Sequence, residues 1–273
     1  MRGKRHKKRT AIVFLIVFSF LFLFMSTAYS LVSDKIIVSS KATIVQNAFD
    51  GGDFVRNVVD ENDGLVENRD GSFKFVGDEV SAVNNYIQLP GDSYLWRILS
   101  IDVDGNLKII RNREDSLTST FMSSINEPYN WSSSLILENL QTWYQSHLSS
   151  LSDYIVQNPK WLLTEVSIEL GATNVAVLST FIASPIGLIR NDEVLNSLSD
   201  RESNSNSSWL NDGYQWTMTA VVGNTKQAWR MNGDKFMNSG VSTTSVYRPV
   251  IYLKASTQFL GGNGTRENPF LVS

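Results

Sequence analysis

The stretch Val246-Tyr247-Arg248-Pro249-Val250-Ile251-Tyr252-Leu253-Lys254 limits what this chain can fold into more than any other. Val250, Tyr252 and Lys254 alternate with Ile251 and Leu253, so apolar side chains leave both faces of an extended backbone. A short run rich in β-branched and aromatic residues, apolar on both sides, predicts a central strand covered above and below. Pro249 cannot donate to a ladder, which places it at the strand's start. Arg248 then carries its charge to the margin of a hydrophobic sheet.

Other runs supply neighbours for that strand. Residues 72–76, 85–89, 94–101 and 107–110 are strand-like, with Trp96, Ile98 and Trp216 the expected packing partners of the central run. Asp102-Val103-Asp104-Gly105-Asn106 reads as a hairpin turn with Gly105 at the left-handed position. Its spacing also matches half of a calcium loop, but residues 107–113 contain no acid to complete one, so the turn is the better reading. One long helix follows. Ser132, Ser133 and Ser134 offer N-caps; Ile136, Leu140, Trp143, Tyr144, His147, Leu148, Leu151 and Ile155 recur at helical spacing; Asn158-Pro159 stops it. Residues 161–163 and 175–178 read as short strands, residues 191–195 as a short capped helix, and residues 209–219 as a turn into a strand. Residues 227–231 form a further strand, and the glycines at 261, 262 and 264 make a tight turn. The expected fold class is α+β: a mainly antiparallel β domain with one long and one short helix.

The N-terminus predicts export. Six of the first ten residues are basic and none is acidic, and only Ser19 is polar between Ala11 and Met25. A basic n-region before an apolar h-region is the layout of a signal peptide, with Ala28 and Ser30 as the small residues before a cleavage point. Extended to Val32, the same stretch is long enough for an uncleaved transmembrane anchor. Either way the basic end stays cytoplasmic. The expected organisation is therefore a signal peptide or membrane anchor over residues 1–32, a short strand and acidic linker over 33–71, and a globular ectodomain over 72–273. The whole chain has a net charge of −3, so without those first ten residues it stands at −9. An acidic ectodomain gains nothing from counterion release on phosphate backbones, which argues against a nucleic-acid partner. Its 273 residues include no cysteine, which excludes disulfides and thiolate metal sites.

From about Phe73 onward the chain resembles an uncharacterised domain family of exported Gram-positive bacterial proteins. The resemblance is carried by Asn85-Tyr86, Leu95-Trp96-Arg97-Ile98, Leu140 with Trp143-Tyr144, Ile186-Gly187-Leu188-Ile189 with Asp192-Glu193-Val194, Trp216-Thr217-Met218, Arg248 to Lys254, and Gly262, Gly264-Thr265 and Asn268-Pro269-Phe270. The closing Trp…Gly…Arg-Pro-Val pattern is similar to the end of C-type-lectin-like and formylglycine-generating-enzyme folds, which implies a C-type-lectin-like domain by analogy of fold. The leader also resembles those of Gram-positive matrix proteins, through Thr27-Ala28-Tyr29-Ser30.

Catalytic patterns are poor. Formylglycine chemistry needs the cysteines this chain lacks. His147 is the one histidine outside the leader, and no Gly-x-Ser-x-Gly elbow accompanies it. Asp192-Glu193 could serve as a carboxylate pair, but acids in a helix's first turn are explained by its dipole. No catalytic residue, metal site or cofactor is expected. Glu127-Pro128-Tyr129-Asn130 and Trp209-Leu210-Asn211-Asp212 each miss a calcium-lectin motif by one residue. The candidate ligand-binding residues are Trp209 and Trp229 for stacking on a sugar, with Asn211 and Asp212 beside them. The expected role is a non-catalytic cell-surface or secreted module for a glycan or a surface protein; the alternative is a structural subunit of an extracellular matrix or surface assembly.

Overall fold

The computed structural model describes Val58 and residues 64–77, 83–113, 117–167, 175–198, 208–210, 213–232 and 235–273. All of these belong to one unit, Ala48–Ser273. The export segment and the strand expected over residues 35–45 lie outside the described residues.

The chain order is β1 (Leu65–Glu67), β2 (Phe73–Phe75), β3 (Tyr86–Gln88), β4 (Leu95–Ile101), β5 (Leu107–Arg111), β6 (Leu117–Ser119) and α1 (Leu135–His147). Then come β7 (Lys160–Ser167), β8 (Val175–Ala183), α2 (Asn191–Asn196), β9 (Gln215–Val222), β10 (Gln227–Asn232), β11 (Lys235–Gly240), β12 (Ser245–Tyr247), β13 (Val250–Leu253), β14 (Phe259–Gly261) and β15 (Phe270–Val272). The described chain is thus mostly β-sheet with a few helices.

The larger sheet forks at β4. One edge of β4 carries β5 and then β13, all antiparallel. Its other edge is shared: the first half pairs with β3 and the second half with β2, which passes on to β1. From β3 the sheet continues through β15, in parallel, to β14. Against β5, β4 carries a bulge between Ile98 and Ser100, where an extra residue twists and re-aims the chain. The second sheet runs β11-β10-β9-β7-β8, with β7 and β9 parallel, and β12 pairs with β6 in a small ribbon.

The run 246–254 is two strands rather than one. β12 and β13 join different sheets, because Pro249 offers no N–H to carry a ladder through and the chain changes partner there. From Val250 onward the strand is buried as expected, but β13 ends its branch of the sheet and is not at its centre. Val250, Ile251 and Leu253 are buried, and register places Ile251 beside Ile109, which lies beside Ile98. β13 pairs with β5 on one edge. On its other edge Val250 exchanges two 2.9 Å backbone hydrogen bonds with Gly187, and Val156 N–H donates to Tyr252. Trp216 belongs to the same core but stands in the second sheet, its Nε1 donating to Ser119.

Two other expectations are corrected. The long helix stops at His147, where Leu148 N–H closes on Tyr144, and does not reach Asn158. Residues 154–156 are drawn into pairing with β13, and that tertiary ladder overrides the helical spacing of Ile155. The sheet also begins inside the expected acidic linker. Leu65, Val66 and Glu67 pair in register with Phe75, Lys74 and Phe73, and Val58 is buried. Apart from its acids this stretch still holds apolar residues at the right spacing to edge the sheet. The Asp102 turn is as expected: Gly105 has φ 82°, and the Asp102 carboxylate accepts the N–H groups of Asp104 and Asn106 at 3.0 and 2.8 Å.

Candidate functional site

A row of side chains crosses the larger sheet at right angles to its strands. Register aligns Val66 with Lys74, Lys74 with Ser100, Ser100 with Lys108, and Lys108 with Tyr252. Four of these five, Lys74, Ser100, Lys108 and Tyr252, line a cleft of about 410 Å³. Its wall is α2 with its two caps, contributing Glu193 and Asn196 from the helix and Arg190 and Ser197 from the caps, and its rim is formed by the Asp70 and Asp102 turns. Alternation on pleated strands puts the row on one face, and the bulge in β4 aims Ser100 into it.

Lys108 is the pivot. It is 3% exposed, and all five residues of β5 are buried, although a charged residue between apolar ones would by itself suggest a solvent face. Its ammonium donates to Glu193 Oε1 and lies 4.9 and 5.2 Å from the ring centres of Trp161 and Tyr252. The other Glu193 oxygen accepts the Arg190 N–H at 2.9 Å, closing the first turn of α2. Arg190 grips Asp192 with two bonds of 3.0 and 2.9 Å. Burial works against the Lys108 charge, but Glu193 outweighs it and holds the ammonium above the ordinary lysine range. Burial would raise Glu193 too; Lys108 and Arg190 prevail and keep its carboxyl below the usual glutamate range. Burial pushes the Asp192 carboxyl up, and the neighbouring Glu193 charge adds to that against the pull of Arg190. Two carboxyls driven apart in this way resemble an acid–base pair. Here each oxygen of both is already held by a cation or a backbone N–H, so the pair joins α2 to the sheet and leaves no carboxylate aimed at a guest.

The residues singled out from sequence do not assemble into one site. Trp209 is 1% exposed, its Nε1 donates to Phe75 O at 3.2 Å, and the Arg97 guanidinium covers its ring at 4.4 Å. Trp229 is 4% exposed and donates to Val166 O at 3.2 Å. A stacking platform needs an accessible ring, and neither has one; both serve the interior, as large aromatics usually do. Asn211 and Asp212 lie outside the described residues. Glu127 accepts from Ser123 Oγ at 2.7 Å, and Tyr129, in the same near-motif, donates its hydroxyl to Met218 O. His147 stands exposed on α1, stacked on Trp143 with ring centres 5.0 Å apart and Nδ1 3.0 Å from Trp143 O. Among the described residues no three of His, Asp and Glu converge as a set of metal ligands.

Sequence reasoning missed Lys108, Arg190 and Asn196, and took Tyr252 only as a strand residue. The available signal was Lys108 itself: a single charge inside a strand otherwise fit for burial on both faces needs a counter-charge somewhere in the chain.

No family model matches the chain, and neither does any curated protein or solved structure.

Proposed function

We propose that this chain is an exported bacterial binding module, displayed at the cell surface or secreted, which holds a glycan or protein ligand in the cleft beside α2 without transforming it. The observation that carries the reading is the cleft itself. It is concave and of ordinary ligand-site size, its floor is a pleated sheet, and its wall is tied to that floor by Lys108 and Glu193. Support for export comes from the basic and apolar leader, whose apolar segment would meet the membrane. The net charge of −9 beyond the first ten residues speaks against nucleic acid. Among the described residues no helix is long and apolar enough to cross a bilayer. The C-type-lectin-like architecture and the kinship with exported Gram-positive proteins remain part of this proposal, resting on the Arg-Pro-Val strand and the motif order.

The test is retention. The protein is passed over insoluble cell-wall material and over immobilised surface proteins, beside Asn196→Trp, which places an indole across the cleft. Retention by one of these surfaces, lost in Asn196→Trp with melting unchanged, is the expected result. Retention that ignores the substitution would overturn the reading. A second reading, a structural subunit of a surface assembly, is favoured by the nine-residue edge strand β8 and by Leu260 and Leu271, both exposed on the terminal β14–β15 hairpin. In the same experiment it would appear as concentration-dependent fibres in place of retention.

A further inference from the structure

The polar groups that line the cleft fall into two sets, those the fold has already bonded and those it has not. Three cations and three carboxylates line it, and they balance. Lys108 is paired with Glu193, and Arg190 with Asp192. Asp70 accepts from the N–H and hydroxyl of Ser72 at 3.0 and 2.7 Å, Asp102 is engaged by its own turn, and Lys74 is partnered as well. Of the uncharged polar groups, Asn68, Ser72 and Ser197 are also bonded within the protein, and three others are not. The Ser100 hydroxyl, the Asn196 carboxamide and the Tyr252 hydroxyl line the same cleft, are half-buried, and make no side-chain hydrogen bond among the described residues. Half-buried polar groups without a protein partner are the ones whose hydrogen bonds a guest can complete.

We infer that the cleft takes an uncharged saccharide, with Ser100 and Asn196 bonding its hydroxyls and Tyr252 supplying both a hydroxyl and an apolar ring to lie against the sugar. A charged ligand would have to break an ion pair already made, or be buried without a counter-charge, and either is costly. A neutral polyhydroxyl compound needs donors and acceptors in equal measure, which a carboxamide and two hydroxyls provide. Tyr252 is the one half-buried aromatic in the lining; the other, Phe75, is fully buried. It is held edge-on against Trp161 at 5.2 Å, so its ring is fixed before any guest arrives. The tryptophans chosen from sequence for this role are in the core, and Tyr252 takes their place.

This inference rests on the cleft reading above, and the experiment separates the two. The full chain, in a zwitterionic detergent without sugar headgroups, is applied to an array of neutral oligosaccharides built from glucose, galactose, mannose and N-acetylhexosamines. Sialylated and sulfated glycans, an acidic peptide and inorganic phosphate serve as charged comparators. Selective binding of a neutral glycan is expected, weakened at least tenfold by Asn196→Ala and by Ser100→Ala, and less by Tyr252→Phe, which keeps the ring; melting temperatures should not move. Binding only of charged probes or of the peptide would overturn the assignment. So would a neutral glycan whose affinity ignores Asn196→Ala. If Asn196→Trp abolishes surface retention while no neutral glycan binds, the saccharide assignment falls and the cleft reading stands. If retention ignores Asn196→Trp, both fall.

Discussion

Lys108 is tolerated in the interior because of Glu193, a residue 85 positions further along the chain. Deleting one member of such a pair leaves the other charged and without its main partner. Lys108→Met should therefore cost about 3–5 kcal/mol. The double variant Lys108→Met/Glu193→Gln should recover most of that loss, because glutamine keeps an oxygen for the Arg190 N–H and brings no charge. Urea melts of the wild type, the single variants Lys108→Met and Glu193→Gln, and the double variant measure it; a double variant as unstable as Lys108→Met would show that charge pairing is not what stabilises the site. The same pair explains why the cleft was hidden in the sequence. Leu107-Lys108-Ile109-Ile110 is visible as a strand, but whether its lysine faces water or a carboxylate depends on a helix that no local pattern connects to it. Trp209 and Trp229 misled for the complementary reason: composition shows that an aromatic is present, and only packing shows that its ring is covered.

At the scale of elements, strands with apolar residues on both faces were the most legible. β4, β5 and β13 lie where their patterns predicted, because burial on both sides leaves a continuous hydrophobic run. Boundaries set by tertiary partners were not. α1 ends early because residues 154–156 pair with β13, and β1 lies in an acidic stretch because its partner strand, more than its own composition, holds it. Ile251 tests how deeply β13 is built into the core. It is fully buried in the row Ile98–Ile109–Ile251, so Ile251→Ala should leave a cavity and cost about 2–5 kcal/mol in a urea melt. A loss under about 1 kcal/mol would mark β13 as a peripheral strand.

For the whole molecule, the export reading makes a direct demand: protease added to intact cells should remove the domain that follows Ser33. A domain degraded only after lysis would reverse the topology, and N-terminal sequencing of the mature protein separates cleavage after Ser30 from retention as an anchor. The ion pair between β5 and α2 has a further consequence for how such a molecule would work. Among the described residues the wall is tied to the floor, so α2 is held in place over the cleft and does not swing as a jaw. A guest can enter and leave without waiting for a rearrangement, so how long a single copy holds its target depends on the contacts inside the cleft alone. Where those contacts are few, lasting attachment to a surface would come from many copies engaging a repetitive target at once, each rebinding while its neighbours hold. Grip would then be a property of the crowd.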